Sequence, residues 1–232
     1  MWRSRYLQNQ CAKTFLICFT GIDGSGKTTH ARALLKFLKK NGYSCVYVWG
    51  AFRPILSYTF FASTRLFGYW KIIRKNAFTN PLEYAPKKVA KNFSWVMRLF
   101  FFIDFQIKTL LKIRLPLLLG KNIICDRYFY DLLIELELIN LSSKNFVYLM
   151  LRTLPQPLIT FLMDANENAI NKRRNFSLKE LQSKRKIFLR MGKSFNFIVI
   201  NSELDYSNNQ KRIQELTFAN IHQSDKVVRK RS

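Results

Sequence analysis

The stretch "GIDGSGKTTH", residues 21–30, places three glycines, an aspartate, a serine, a lysine and two threonines within ten positions. It is preceded by a compact apolar run, "TFLICFT" (14–20). It is followed by "ARALLKFLKKNG" (31–42), in which the apolar residues recur at helical spacing. The order predicts a buried strand that leads into a glycine-rich loop, and a helix that begins where the loop ends.

Further apolar runs have the length of buried strands: "CVYVWG" (45–50), "NIICD" (122–126), "LITFLMDA" (158–165) and "FNFIVIN" (195–201). They are almost continuously apolar, which is typical of parallel strands covered on both faces of a sheet. Helical patterns lie between them. A strand followed by a helix, repeated along the chain, predicts a three-layer α/β/α fold with a doubly wound, five-stranded parallel sheet.

The helical segments have recognisable ends. The first helix is expected to stop at Asn41-Gly42, because glycine commonly follows a helix C-terminus. A long apolar and basic segment, 87–119, precedes Gly120, and Pro116 should bend or shorten it. No linker or repeat divides the chain, which predicts one domain over 1–232 with a core of about 12–220. A basic C-terminal tail of about 223–232 follows, and its "DKVVRKRS" should be frayed.

Composition narrows the class of protein. The 232 residues include 39 Lys and Arg against 14 Asp and Glu, a formal net charge of +25 that favours anionic partners such as nucleotides. The four cysteines form no CxxC pair and lie mostly in apolar runs, so a reducing, cytoplasmic location is expected. Charged residues interrupt every long apolar stretch, which predicts no transmembrane segment.

The glycine-rich loop has the composition of a phosphate-binding loop, with Gly21, Gly26, Lys27 and Thr28 at the required positions. Glycines allow successive backbone N–H groups to surround an anion, and the helix N-terminus adds its partial positive charge. Lys27 is expected to reach the β- and γ-phosphates, and the Thr28 hydroxyl to coordinate Mg²⁺. The pattern therefore indicates a nucleoside triphosphate site.

A second motif, "DRY" (126–128), follows the strand "NIICD". Asp126 is the candidate acid that supports Mg²⁺ together with Thr28. Arg127 is a candidate bridge between donor and acceptor phosphates, because a guanidinium matches two phosphate oxygens at once.

These motifs, together with a later basic helical region, resemble the thymidylate kinases, a branch of the P-loop nucleoside monophosphate kinases. The resemblance extends from about Thr14 to about Leu216. It implies a P-loop kinase fold with a short lid at about 172–186. It also implies ATP and Mg²⁺ as cofactors and a nucleoside monophosphate, dTMP above all, as acceptor, which would make the chain an enzyme of nucleotide biosynthesis.

The resemblance also implies residue roles. Asp23 would accept a hydrogen bond from the 3′-hydroxyl of the acceptor sugar, and Arg53 would clamp the acceptor phosphate. Phe101 would stack on the acceptor base, unless it is an ordinary core residue. The donor nucleotide would be held by the loop residues Gly21, Asp23, Gly24, Ser25, Gly26, Lys27, Thr28 and Thr29.

In this family the catalytic arginine lies either in the phosphate-binding loop or in the lid. Gly24 follows Asp23 here, so the sequence resembles the lid-arginine type. The candidates for this role are Arg173, Arg174, Lys184 and Arg185. The family is commonly dimeric, and a homodimer through the 87–119 helix is expected by analogy.

The chain departs from the family pattern at the positions that identify the base and the sugar of the acceptor. Phe105 stands where these kinases usually have an arginine that reads the thymine carbonyl. The segment after "DRY" is "FYDLLIELEL" (129–138) and lacks the family's serines and Tyr-Gln pair. The Arg-Glu-Pro-Gly-Gly stretch after the second strand is reduced to Arg53-Pro54.

Two other functions stay open at this point. One is a kinase of the same architecture that acts on another nucleotide, a nucleoside or a sugar-like metabolite. In that case Asp131 is a candidate acceptor of hydrogen bonds from the hydroxyl groups of the substrate. The other is a non-catalytic nucleotide- or nucleic-acid-binding protein, suggested by basic residues interleaved with aromatic ones. No nucleic-acid-binding motif accompanies that pattern, and nucleic acid is not the expected partner.

Overall fold

The structure is a computed structural model that describes residues 14–51, 94–138, 142–167, 170–171 and 178–229. Its centre is a five-stranded, fully parallel sheet with strand order β2-β3-β1-β4-β5. The strands are β1 (Leu16–Gly21), β2 (Cys45–Trp49), β3 (Asn122–Asp126), β4 (Ile159–Asp164) and β5 (Ile198–Asn201). The predicted α/β class and each of the five predicted strands are confirmed.

Strand β1 lies in the middle of the sheet and is buried along its whole length. On one side, its Phe19 pairs with Asp126 of β3, and on the other, its Gly21 pairs with Met163 of β4. Because parallel strands end at the same edge, the loop after Gly21 and the side chain of Asp126 are brought to one edge of the sheet.

The helices alternate with these strands along the chain. They are α1 (Lys27–Lys40), α2 (Ser94–Thr109), α3 (Leu115–Leu118), α4 (Phe129–Leu138), α5 (Lys144–Thr153), α6 (Leu178–Ser194) and α7 (Tyr206–Arg229). Helix α1 buries Ala31, Leu34 and Leu38 in the main core, as its spacing predicts. Asn41 is its C-cap residue, and Gly42 follows with a φ of +83°.

The long helical segment changes its hydrogen-bonding pattern near Pro116. Regular α-helix ends at Thr109, a π-helical turn occupies Leu110–Arg114, and the short helix α3 carries Pro116 in its first turn. Proline has no N–H to donate and crowds the preceding turn, which explains why the regular α-helix is interrupted there. The part of the predicted segment before residue 94 lies outside the described residues.

The contacts group the chain into two compact units. One unit contains the whole sheet with α1, α3, α6 and α7, and the other contains α2, α4 and α5. The single domain expected from the sequence stays a prediction. The C-terminal segment differs from expectation, because α7 continues to Arg229 instead of fraying from Asp225. Buried residues such as Ile213 and Ile221 anchor this helix, and extending an existing helix costs little free energy.

Three cysteines, Cys18, Cys45 and Cys125, are buried and reduced. Burial raises the pKa of the Cys45 thiol to about 11, which disfavours its reactive thiolate form.

The described helices include none that is both long and apolar enough to cross a membrane. Apolar side chains are nevertheless exposed in the segment proposed for dimer formation, among them Trp95, Leu111 and Leu118. The homodimer stays a prediction.

Candidate active site

The loop between β1 and α1 is shaped by glycines with positive φ. Gly21, Gly24 and Gly26 have φ values of +138°, +92° and +87°, a region that side chains with a Cβ rarely adopt. Gly26 is the residue before α1, and no side chain in the described part of the molecule caps the helix there. A helix N-terminus without a side-chain cap favours the binding of an anion.

Gly21 has a second requirement besides its φ. A Cβ at this position would lie 2.4 Å from the backbone oxygen of Met163 on β4, whereas a Cβ on Gly42 would meet nothing within 4 Å. Both glycines have positive φ, so Gly42→Ala is a reference variant with a positive-φ alanine and no collision.

We expect Gly42→Ala to lower the free energy of unfolding by about 1 kcal/mol, the cost of a left-handed alanine. Gly21→Ala should lower it by roughly 3 kcal/mol or more, because overpacking against β4 is added. Urea unfolding followed by circular dichroism measures both values. Equal losses in the two variants would show that the contact with Met163 does not constrain this position.

Lys27 is buried at the base of the loop, with an exposed fraction of only 4%. Its Nζ donates hydrogen bonds to the backbone oxygens of Gly21 and Ile22, each at 2.7 Å, and lies 3.5 Å from Asp23 Oδ1. The loop therefore holds the ammonium group among its own polar groups. A phosphate bound in the loop would meet this positive charge at short range.

Asp126, at the end of β3, contacts the first turn of α1. It is almost completely buried, at 1% exposed, and its Oδ2 accepts a hydrogen bond from Thr28 Oγ1 at 2.5 Å. The same oxygen accepts a second hydrogen bond from the Tyr47 hydroxyl at 2.7 Å. Burial and the neighbouring Asp126 raise the pKa of Tyr47 to about 12, while Arg32 acts in the opposite direction, so the phenol stays a donor at neutral pH.

The donor set at Thr28 and Asp126 suits Mg²⁺. A hydroxyl and a carboxylate are hard oxygen ligands, and magnesium sites in nucleotide-binding proteins use few protein ligands because phosphates and water supply the rest. Asp126 Oδ1 is buried and has no hydrogen-bond partner among the described residues. A buried carboxylate oxygen in this position is an acceptor that a cation or a cation-bound water would satisfy.

Arg127 follows β3 and directs its guanidinium to the loop. Its N–H donates to Phe19 O at 2.8 Å, its φ is +68°, and its Nη2 donates to Asp23 Oδ1. Burial opposes ionisation of Asp23, but the charges of Lys27 and Arg127 outweigh it and hold the pKa of this carboxyl below its usual value. The structure therefore brings together two cations and two carboxylates around the loop and the start of α1.

Comparison with known proteins finds similarity to proteins named as thymidylate kinases. The chain is 28% identical over 211 residues to a protein named probable thymidylate kinase in Sulfurisphaera tokodaii, a match that covers 87% of this chain and 90% of that protein. The resemblance to the thymidylate kinases is confirmed. A probable thymidylate kinase of Methanothermobacter thermautotrophicus matches 27 residues with 67% identity, 12% of this chain and 14% of that protein. No family model matches the chain.

The structure describes two of the four candidates for a catalytic basic residue in the lid. Arg173 and Arg174 lie outside the described residues, whereas Lys184 and Arg185 lie on α6. Arg185 donates from Nε and Nη2 to the two oxygens of Asp164, at 2.7 and 2.8 Å, and from Nη1 to Glu167 at 3.2 Å. In this state Arg185 is engaged by carboxylates at the end of β4, and its catalytic role stays a prediction.

The predicted acceptor residues are spread over several parts of the chain. Arg53 lies outside the described residues, and Asp23 lies at the loop with Arg127. Phe101 is fully buried on α2, as an ordinary core phenylalanine would be, and stacking on a base stays a prediction. Asp131 accepts a hydrogen bond from the Tyr128 N–H at 3.1 Å, which is the behaviour of a carboxylate at the start of a helix.

Two contributors to the site were not predicted from the sequence. Tyr47 contacts Asp126 because β2 pairs with β3, and strand order is not encoded in any local pattern. The second is His30, a buried residue in the first turns of α1. Its Nδ1 is hydrogen-bonded to Gln210 Oε1 at 2.9 Å and its ring packs on Tyr206, so it joins α1 to α7 behind the loop.

Proposed function

We propose that this protein is a kinase that transfers the γ-phosphoryl group of Mg²⁺-bound ATP to a nucleoside monophosphate, with dTMP as its foremost acceptor. The thymidylate kinase relatives support the coarser statement, that the chain is a nucleotide kinase and hence a transferase. The observation that carries the proposal is the convergence of Lys27, the Thr28–Asp126 pair and the Asp23–Arg127 pair on one glycine-rich loop.

Each of these groups has a part in the proposed transfer. An oxygen of the acceptor phosphate attacks the γ-phosphorus and ADP leaves, so no catalytic base is needed. Lys27 neutralises charge on the transferred group, and Arg127 is placed to contact donor and acceptor phosphates. If bound through Thr28 and Asp126, Mg²⁺ would supply further neutralisation of phosphate charge. A basic residue of the lid completes the set.

Positioning and electrostatics supply most of the rate in such a mechanism, because the protein forms no covalent intermediate. Asp23 is held as a carboxylate by Lys27 and Arg127, and a carboxylate only accepts hydrogen bonds. It is therefore suited to receive a hydrogen bond from a sugar hydroxyl of the acceptor.

A second acceptor class is favoured by one specific observation. Phe105, which stands in place of the family's base-reading arginine, is 2% exposed and packs edge-on against Tyr128 with ring centroids 6.1 Å apart. An apolar, buried side chain supplies no hydrogen bond to a thymine carbonyl. A kinase of the same architecture that acts on another nucleotide or on a nucleoside is therefore the second candidate.

The experiment that tests the proposal offers ATP and Mg²⁺ with dTMP, dUMP, UMP, CMP and thymidine in parallel and follows ADP release in a coupled assay. We expect the largest kcat/KM with dTMP, and mass spectrometry of the product should show dTDP. The Lys27→Ala variant, purified in the same way, controls for contaminating kinases. A clear preference for thymidine or for a different monophosphate would favour the second candidate, and no ADP release with any acceptor would contradict both.

A further inference from the structure

We propose that Tyr47 is a positioning residue that fixes the carboxylate of Asp126 for the metal ion. The inference rests on the proposed function, since it assigns a task within the same Mg²⁺-nucleotide site. Tyr47 belongs to neither of the two motifs that define this site, and it lies on β2, remote in sequence from both Thr28 and Asp126.

Strand pairing explains how Tyr47 reaches Asp126. Tyr47 pairs with Ile124 in the parallel β2–β3 ladder, and Asp126 is two residues beyond Ile124. Side chains two residues apart on a strand lie on the same face of the sheet. Tyr47 and Asp126 therefore share a face at the carboxyl edge, where a phenol is long enough to span the distance. Its hydroxyl donates to Asp126 Oδ2 at 2.7 Å.

The two donors on Asp126 act on the same oxygen. Thr28 Oγ1 donates to Oδ2 from the first turn of α1, and the Tyr47 hydroxyl donates to Oδ2 from β2. The terminal torsion of an aspartate is broad, so one hydrogen bond leaves the carboxylate free to rotate. Two donors from different elements define its plane and leave Oδ1 as the buried oxygen without a partner among the described residues.

Tyr47 and Thr28 differ in what else they must do. Thr28 is the candidate metal ligand, so its hydroxyl has to serve the cation and the carboxylate together. Tyr47 is not a candidate metal ligand, and the Arg32 guanidinium lies over its ring, with the central carbon 5.5 Å from the ring centroid. Tyr47 thus keeps Oδ2 engaged and reserves Oδ1 for the metal or for a water on the metal. Partners of this kind commonly change metal affinity when they are removed.

The test compares Tyr47→Phe with the matched control Tyr43→Phe. Tyr43 precedes β2, at the opposite end of the strand, and its ring packs on Phe15 and Phe218. Isothermal titration gives the Kd for ATP in EDTA and in Mg²⁺, without acceptor, and the ratio of the two measures the benefit from Mg²⁺. In Tyr47→Phe this ratio should fall about tenfold, with ATP binding in EDTA unchanged. Tyr43→Phe should match the parent protein.

The outcomes separate the inference from the function on which it rests. If the parent protein shows no tighter ATP binding in Mg²⁺ than in EDTA, the proposed function itself fails. If the parent protein shows that benefit and Tyr47→Phe retains it in full, or loses affinity equally in EDTA, only the role of Tyr47 is overturned. Combining Tyr47→Phe with Asp126→Asn should lower the ratio no further than Asp126→Asn alone, and an additional loss would show that Tyr47 acts by another route.

Discussion

Replacing Lys27 by alanine is expected to lower the rate of phosphoryl transfer by at least about a thousandfold, while the protein still folds. The ammonium is buried in the glycine-rich loop, where it donates hydrogen bonds to the backbone oxygens of Gly21 and Ile22. Its loss removes charge neutralisation that acts in a largely water-excluded place, where each charge has a large effect. The coupled ADP-release assay at saturating acceptor measures the change.

The stability of this variant should change far less than its activity. Alanine leaves the oxygens of Gly21 and Ile22 without their lysine donor, which costs on the order of 1–3 kcal/mol if water does not replace it. The control is Lys36→Ala, an exposed lysine on the same helix, which should retain the parent rate. Unimpaired turnover by purified Lys27→Ala would remove the phosphate-loop assignment, whereas an unfolded variant would show that Lys27 is needed for the loop itself.

The strands and the loop could be predicted from the sequence because their causes are local. Buried parallel strands need continuous apolar runs, and "LICFTG" and "NIICD" satisfy that need within a few residues. The loop requires three residues at positive φ, and glycines stand at all three positions, Gly21, Gly24 and Gly26. Such features are decided within a few residues of sequence, and the structure places them where the patterns predict.

Other features depend on contacts between distant parts of the chain and could not be predicted in this way. The hydrogen bond from Tyr47 to Asp126 requires that β2 lie beside β3, and the pair of Arg185 with Asp164 requires that α6 lie at the end of β4. The extent of α7 also depends on packing, since Ile213 and Ile221 hold it against the core. The sequence motifs indicated the residues of a nucleoside triphosphate site. The side chains that contact those residues from distant parts of the chain became apparent only in the structure.

Replacing Asp126 by asparagine should separate activity from stability. The charge that supports Mg²⁺ is lost, so phosphoryl transfer is expected to fall by roughly a hundredfold or more. The amide retains an oxygen for the donors Thr28 and Tyr47, and its NH₂ group takes the place of the buried Oδ1 that has no partner among the described residues. Because a buried carboxylate without full hydrogen bonding is costly, unfolding free energy should stay equal or rise.

Thermal unfolding of Asp126→Asn with and without Mg²⁺-ATP distinguishes these effects. The parent protein should gain stability from Mg²⁺-ATP beyond what ATP in EDTA provides, since any ligand that binds the folded state raises the midpoint. In the variant, Mg²⁺-ATP should raise the unfolding midpoint no more than ATP in EDTA does. Glu215→Gln, an exposed carboxylate-to-amide change on α7, should behave as the parent does. A fully active Asp126→Asn would exclude Asp126 from the metal site, and a variant that loses stability without ligand would show that its buried charge is structural.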